Sequence, residues 1–133
     1  MTRTLRKRDY EALARFRRAL REFLIFTEEG ARAAGVTPHQ HQLLLAVKGQ
    51  PGRSWATISE LAAALQVRHH TVVGLVDRSE RSDLVVRAKS DVDRRQVRVK
   101  LSRRGEGILK RLSSRNLAEL GRLRRSRLLW LTR

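Results

Sequence analysis

The sequence predicts a mainly α-helical fold with a small β-hairpin, formed by one domain that spans 1–133. Three patterns indicate this fold: two short helical segments separated by a tight turn, a strand-like alternation just after them, and long amphipathic segments near both termini. Two helices followed by a hairpin form the winged helix-turn-helix layout. We therefore predict a winged helix-turn-helix lobe over 37–101, flanked by N- and C-terminal dimerisation helices over 9–34 and 103–131.

The N-terminal region begins with a basic arm at 2–8 and continues as a helix from Asp9 to about Ala34. Its large apolar residues repeat at spacings of three and four, which is typical of one face of a helix. They are Leu13, Phe16, Leu20 and Phe23. Gly35 then supplies a C-cap. Because a domain of this size has little with which to cover such a stripe, we expect two subunits to share it.

The next helix is predicted to begin at Thr37-Pro38, because Thr is a favoured N-cap and Pro is tolerated at the first helical position. It ends near Gly49, and a turn containing Pro51 and Gly52 follows. Residues 54–56 are predicted to add a short third strand beside the hairpin. Within this strand, we favour Trp55 as a hydrophobic plug over a platform for a ligand.

The helix-turn-helix begins with a capping box, in which the side chains of Thr57 and Glu60 satisfy each other's backbone amides. Gln66-Val67 form the turn. The second helix has a polar first turn and apolar later turns, so it is predicted to bury its back and to offer its N-terminal end to a partner. Its first turn contains Arg68, His69, His70 and Thr71. Asp83 is expected to end the helix in the left-handed conformation, which Asp tolerates better than most residues.

The hairpin and the last helix complete the chain. Apolar and polar residues alternate over 97–101, which predicts a half-buried strand with a cationic outer face. This strand pairs with one at 84–86, and a polar tip over 89–95 joins the two. Ser102 is predicted to cap the final helix, which carries a leucine stripe and reaches about Leu129.

The composition indicates an anionic partner. The chain has 30 Lys and Arg against 13 Asp and Glu, a formal charge of +17, which favours nucleic acid first and an anionic membrane second. Most of the cations are Arg, which suits phosphate and guanine, although genomic base composition accounts equally well for the scattered ones. The sequence contains no Cys, which excludes disulfides and cysteine-based zinc sites. Without an apolar run of about 20 residues or a secretory signal, a cytoplasmic location is expected.

The chain resembles the MarR family of winged helix-turn-helix transcription regulators. The matching segments are Thr37-Pro38, Leu43–Leu45, Ser59–Ala62, Thr71–Val73, Val76–Arg78, Asp93–Arg95, Val97–Val99, Leu101-Ser102 and Gly105. The resemblance covers nearly the whole chain, and the segment from Asp93 to Leu101 is its most specific part. The chain departs from the family pattern at Ser79, where Leu is usual, and at Asp83, where Gly is usual.

The predicted DNA-binding residues lie on the second helix and on the wing. The helix contributes Arg68, His69, His70, Thr71, Gly74 and Arg78, and the wing contributes Lys89, Arg94 and Arg95. The alternative for the first turn is a merely solvated surface. Arg94 is expected to enter the minor groove. The resemblance implies that Arg95 forms an ion pair with Asp77 and so orients the wing, although Asp91 and Asp93 are further candidate partners for the wing Arg residues.

A small-molecule effector is implied by the resemblance alone. Many relatives release DNA when a small aromatic or phenolic anion binds between the dimer helices and the DNA-binding lobe. Here a cleft around Phe16, Leu20, His41 and Trp55 is the candidate, with nearby Arg as the anion partner and ordinary core packing as the alternative. No cofactor and no metal site are predicted, since the His residues lack nearby carboxylates. No nucleophile motif or phosphate loop indicates an enzyme.

These observations favour a homodimeric, sequence-specific regulator of transcription, most simply a repressor that binds a pseudo-palindromic operator and no membrane. Two other classes stay open. A non-specific architectural protein would rely on the charge of +17 alone. A winged-helix module for protein interaction would keep the fold without operator binding, and the departures at Ser79 and Asp83 favour that class.

Overall fold

A computed structural model describes residues 3–126, and within them the chain forms five helices and three strands. In chain order these are α1 (Lys7–Ala33), α2 (Pro38–Lys48), β1 (Trp55–Thr57), α3 (Ile58–Leu65), α4 (His69–Arg81), β2 (Val85–Lys89), β3 (Val97–Leu101) and α5 (Arg103–Arg125). The mainly helical fold with a small hairpin is confirmed. The predicted continuation of the last helix to Leu129 and beyond lies outside the described residues.

Side-chain caps begin three of the helices, as the sequence predicts. Thr37 accepts a hydrogen bond from the backbone amide of Gln40 (3.0 Å), and the Gln40 side chain accepts one from the amide of Thr37. The same reciprocal box joins Thr57 and Glu60 at the start of α3. The hydroxyl of Ser102 accepts the amide of Gly105 at the start of α5. Each cap satisfies amides that the first helical turn leaves without partners.

The three strands form one antiparallel sheet in the order β1-β3-β2. Trp55 lies opposite Lys100 in the first pair of strands, and Val85 lies opposite Leu101 in the second. The predicted third strand therefore exists, and it is displaced by one residue to Trp55–Thr57. Since β3 is central, the sheet connects the start of α3 to the wing formed by β2 and β3.

The core lies between α2, α3, α4, the sheet and the first half of α5. Its fully buried large side chains include Leu43, Leu44, Leu61, Val76 and Leu84. Ser79 is also fully buried here, and no described group bonds its hydroxyl. Asp83 adopts a left-handed backbone with φ of 55°, as expected. Both departures from the family pattern are thus accommodated within this fold.

Close contact between α5 and the lobe requires a glycine. A Cβ added to Gly105 would lie 2.1 Å from the backbone oxygen of Leu84, well inside van der Waals contact. The hydroxyl of Ser102 donates to the oxygen of Asp83 at 2.6 Å, and the amide of Ser102 donates to the oxygen of Leu84 at 3.0 Å. The first turn of α5 is therefore anchored to the segment between α4 and β2.

Helices α1 and α5 pack together outside the lobe, where Arg115 stacks over the ring of Phe26 and donates to its backbone oxygen. A row of large apolar residues remains exposed on these helices. We call it the apolar stripe, and it consists of Leu13, Phe16, Leu20 and Leu24 on α1 with Leu117 and Leu120 on α5. Among the described helices, none is long and apolar enough to span a membrane.

Candidate nucleic-acid interface

The N-terminal end of α4 is an exposed polar turn. Gln66 has a left-handed backbone with φ of 56°, which ends α3 and turns the chain toward α4. The first four candidate residues, Arg68 to Thr71, are all exposed. Behind them, Val72, Leu75 and Val76 are buried in the core. The helix therefore buries its back and presents its start, which is the arrangement that the residue pattern predicts.

The same exposed face continues along α4 to Arg78. Gly74 is half-buried, and a Cβ added there would lie 3.3 Å from the Nη1 atom of Arg78. The guanidinium of Arg78 therefore folds back over Gly74, on the side of the helix that faces solvent. The structure thus places Gly74 about one turn and Arg78 about two turns beyond the polar start, along the same side of the helix.

Hydrogen bonds between residues two or three positions apart define the tip of the wing. The hydroxyl of Ser90, a buried residue, accepts the amides of Val92 and Asp93 at 3.2 Å each. A carboxylate oxygen of Asp93 accepts the amide of Arg95 at 3.0 Å. Lys89, Arg94 and Arg95 project from this frame as exposed cations. The loop therefore holds the backbone of Arg94 and Arg95 in a defined turn, next to Lys89 at the end of β2.

The ion pair between helix and wing differs from the one that the family resemblance implies. Asp77 pairs with Arg87 on β2 at 2.5 Å, so the predicted partner Arg95 was wrong. Arg87 also donates to Glu80, both from its side chain at 2.9 Å and from its backbone amide at 3.3 Å. One arginine thus bridges the wing to two carboxylates on successive turns of α4.

Electrostatics favour this bridge. Partial burial opposes the charge of Arg87, but the hydrogen bonds and charges of Asp77 and then Glu80 outweigh it and raise the pKa of the guanidinium. The spacing of three residues between Asp77 and Glu80, which places both on one face of a helix, is the sequence signal that points to a shared cation. The identity of the shared cation depends on how β2 lies against α4, which the spacing of residues along the sequence does not determine.

Trp55 lies beside the wing and contacts two guanidinium groups. Arg53 and Arg98 stack on its ring at 4.0 Å and 3.8 Å from the ring centroid. Arg53 also forms an ion pair with Glu60, the residue that completes the cap of α3. Trp55 is half-buried, so it serves as a stacking platform for arginines rather than as the predicted plug. This cluster joins the start of α3 to the central strand.

A separate cavity of about 460 Å³ lies between α1, α2 and α5. It is lined by Phe23, Leu24, Thr27, Glu28, Pro38, His41, Gln42, Leu45, Ser113, Asn116, Leu117 and Leu120. Of the four predicted cleft residues, His41 lines this cavity. Phe16 and Leu20 lie earlier on the exposed stripe of α1, and Trp55 lies beside the wing, so these three residues do not line this cavity and their part in an effector cleft stays a prediction.

The cavity residues recur at regular intervals in the sequence, which is a signal from which the cavity could have been predicted. Positions 113, 116, 117 and 120 recur at helical intervals on α5, and positions 23, 24, 27 and 28 do so on α1. His41 is buried, and burial lowers the pKa of its imidazole. Within residues 3–126, no group of three His, Asp or Glu side chains is arranged to hold a metal ion.

Comparison with known proteins places this geometry among winged-helix regulators. Residues 34–96 match a family model described as the MarR family. A MarR family transcription regulator of known structure is 29% identical, with 86% of this chain and 74% of that chain covered and a TM-score of 0.72. A MarR family protein from Bacillus stearothermophilus is 24% identical, with 92% and 84% covered and a TM-score of 0.74.

The solved structures that resemble this chain include complexes with nucleic acid. A variant of S. aureus MepR bound to an oligodeoxyribonucleotide is 24% identical, with 88% of this chain and 83% of that chain covered and a TM-score of 0.68. Comparison with curated proteins gives no match. The similarity to known structures extends over both the lobe and the terminal helices, since the coverage exceeds the segment that the family model matches.

Proposed function

We propose that this chain is a DNA-binding regulator of the MarR family, whose model matches residues 34–96, and that it acts as a homodimeric repressor of transcription. In this proposal it reads a specific pseudo-palindromic sequence in double-stranded DNA. One observation carries the proposal: Arg87 on the wing strand β2 pairs with Asp77 and Glu80 on later turns of α4, which fixes the wing against the helix whose exposed start would read bases. Such a regulator acts on chromosomal DNA, which is consistent with the expected cytoplasmic location.

The start of α4 is suited to the major groove. Recognition helices use their N-terminal residues to contact base edges. Arg68 can form two hydrogen bonds with guanine, His69 and His70 can donate to acceptors, and Thr71 can meet a thymine methyl group. These side chains are exposed, and the buried apolar back of the helix fixes their direction.

The wing is suited to the adjacent minor groove or to the phosphate backbone. Because Asp77 is paired with Arg87, Arg95 is released from the role that the family resemblance implies. Arg94 and Arg95 therefore both stand at an exposed, ordered tip. A narrow minor groove attracts such side chains through its enhanced negative potential. We propose that both arginines contribute, and that Lys89 contacts phosphate.

The apolar stripe supports the homodimer. Leu13 is 64% exposed and Leu117 is 67% exposed, although both are large apolar residues on amphipathic helices. Soluble monomers rarely leave continuous apolar surfaces of this kind uncovered. Pairing two copies through α1 and α5 would cover the stripe and hold two lobes side by side. Two recognition helices could then enter major grooves about 34–36 Å apart on one face of the duplex.

Repression follows from occupancy, and release follows from a shift between two dimer arrangements. A bound dimer would exclude polymerase from its site. An effector in the cavity between α1, α2 and α5 would favour the arrangement in which the two lobes no longer fit successive grooves, to the extent of its differential affinity. The cavity borders both the lobe, through α2, and the terminal helices, through α1 and α5.

Base reading is tested with duplexes selected from a random library. We expect Arg68→Ala to weaken binding to the selected duplex by about 1–3 kcal/mol and to affect a scrambled duplex much less, because a lost base contact removes discrimination. Arg94→Ala should weaken both duplexes and reduce the salt dependence. Arg111→Ala, which removes the same charge from an exposed position on α5, is the matched control.

Equal weakening of both duplexes by Arg68→Ala would show that α4 does not read bases. The large positive charge favours the second candidate, a non-specific architectural protein. That candidate predicts a steep loss of affinity with salt and little preference among duplexes. A winged-helix protein-interaction module predicts that no duplex is enriched from the library at all.

A further inference from the structure

The cavity between α1, α2 and α5 contains a polar group that the described protein leaves without a partner. The Oδ1 atom of Asn116, a lining residue, is buried and no described group bonds it. His41, which is only 7% exposed, lines the same cavity. Buried polar groups in proteins nearly always have partners, so the unbonded Asn116 oxygen is available to a hydrogen-bond donor on a bound molecule.

The charge of the lining is negative. Glu28 is the one charged side chain among the described lining residues, and neither Lys nor Arg is among them. Burial lowers the pKa of His41, so its imidazole is neutral near pH 7 and supplies no positive charge. Arg115, which precedes the lining residue Asn116 on α5, is engaged with the ring and backbone oxygen of Phe26. The lining therefore offers no cation for a carboxylate or a phenolate.

The rest of the wall is apolar and the space is of ligand size. Phe23, Leu24, Pro38, Leu45, Leu117 and Leu120 form the greater part of the lining. A volume of about 460 Å³ falls within the range of ligand pockets, roughly 300–1,000 Å³. An apolar wall with a few convergent acceptors suits a ligand that is mostly hydrocarbon and donates hydrogen bonds at one end.

We propose that this cavity binds a hydrophobic organic amine in its protonated form, with the ammonium group directed to Glu28 and Asn116 and the apolar body against the leucines. The inference rests on the proposed function, because the amine would be the effector of the regulator. It replaces the aromatic or phenolic anion expected from the family resemblance. The choice of a cation follows from charge complementarity, since the ionised lining group, Glu28, and the unbonded lining atom, Asn116 Oδ1, are both acceptors.

The test compares two probes of nearly the same shape and opposite charge, naphthylmethylammonium and naphthoate, by calorimetric titration of the full chain. We expect the ammonium to bind at least about ten-fold more tightly, which corresponds to one decade in Kd. Glu28→Gln should remove most of that preference. Glu29→Gln removes the same charge from the neighbouring exposed position on α1 and should leave the preference unchanged.

Three results would overturn the proposal: naphthoate binding as tightly as the ammonium, no binding of either probe, or equal effects of Glu28→Gln and Glu29→Gln. A second variant, Asn116→Leu, should weaken binding of the ammonium probe, because it removes the acceptor oxygen and keeps an apolar side chain against the body of the ligand. Binding of the selected duplex by the unliganded chain is measured separately. Duplex binding without ammonium binding overturns only this inference, whereas ammonium binding without duplex binding overturns only the proposed function.

Discussion

The winged-helix lobe and the two terminal helices differ in where they place their large apolar side chains. In the lobe, Leu43, Leu61 and Leu84 are fully buried within one subunit. Helix α1 is the reverse, since the only residues it buries are small (Ala19, Gly30 and Ala31) and its leucines remain exposed. The lobe therefore completes its core within one chain, whereas the terminal helices present surfaces that suit a second copy.

The largest effect is expected from breaking the lobe itself. Leu61→Ala should lower the free energy of unfolding by about 2–5 kcal/mol, because it removes a fully buried side chain and leaves a cavity. Leu117→Ala removes the same atoms from the exposed stripe, so its effect should come through the dimer alone. Urea unfolding at several protein concentrations separates the two variants.

Concentration dependence is the deciding observation. Destabilisation by Leu61→Ala should persist at all protein concentrations, and that by Leu117→Ala should vanish where the chain is monomeric. Sedimentation equilibrium should show weaker self-association for Leu117→Ala. If Leu61→Ala and Leu117→Ala lower the unfolding free energy of the monomer by the same amount, the contrast between lobe and terminal helices is wrong.

A smaller effect is expected from separating the wing from α4 within the lobe. Asp77→Asn breaks the pair with Arg87 while making the surface more positive. If the pair acts by positioning the wing, affinity for the selected duplex should fall about ten-fold, or roughly 1.4 kcal/mol. If charge alone governs affinity, the same variant should bind more tightly, because a repulsive carboxylate has been removed.

Electrophoretic mobility shifts at constant salt measure this change, and Asp91→Asn is the control. Asp91 is exposed at the wing tip, where its removal takes away the same charge and leaves the Arg87 bridge intact. That control should bind slightly more tightly than the unmodified chain. Unfolding free energy should change by less than about 1 kcal/mol in Asp77→Asn, since the pair is partly exposed.

The smallest effect is expected at the boundary between the two regions, where His41 on α2 faces α1 and α5. Burial lowers the pKa of His41 from its ordinary value of 6.5, so the unfolded chain binds more protons there than the folded chain. The corresponding stability is present above pH 6.5 and is lost as the pH falls through the lowered pKa.

The change His41→Gln should therefore flatten the pH dependence of the unfolding free energy below pH 6.5 and leave it unaltered above. Thermal unfolding across a series of buffers measures it. His39→Gln, at an exposed position on the same helix, is expected to keep the slope of the unmodified chain. A slope that survives in His41→Gln would assign the pH dependence to other groups.

Local chemistry made much of the lobe predictable. Helix starts can be predicted from segments of about four residues, because a cap involves only the first turn of its helix. Examples are the capping box of Thr57 and Glu60 and the cap by Ser102 before α5. The strand β3 of the wing was also predictable, because the alternation of apolar and polar residues over Val97–Leu101 is a local pattern. The exposed start of α4 also followed from its residues, since polar positions precede apolar ones.

Contacts between elements were less predictable. Arg87 and Asp77 are ten residues apart and meet only because β2 lies against α4 at a particular angle. Trp55 meets Arg98 through the register of β1 and β3, which places Thr57 opposite Arg98. The cavity depends on how far α1, α2 and α5 stand apart. In each case the individual residues were visible, and the geometry that joins them was set by tertiary packing.

The anchoring of α5 gives that helix a mechanical property. Ser102 follows β3 directly and is hydrogen-bonded to the backbone oxygens of Asp83 and Leu84, so the wing and α5 are joined by a short, fixed connection. A helix of 23 residues is about 35 Å long, so a tilt of about 5° at its base moves the far end by about 3 Å. Conversely, a displacement of about 3 Å at the far end of α5 would rotate its base, and the wing joined to it, by about 5°.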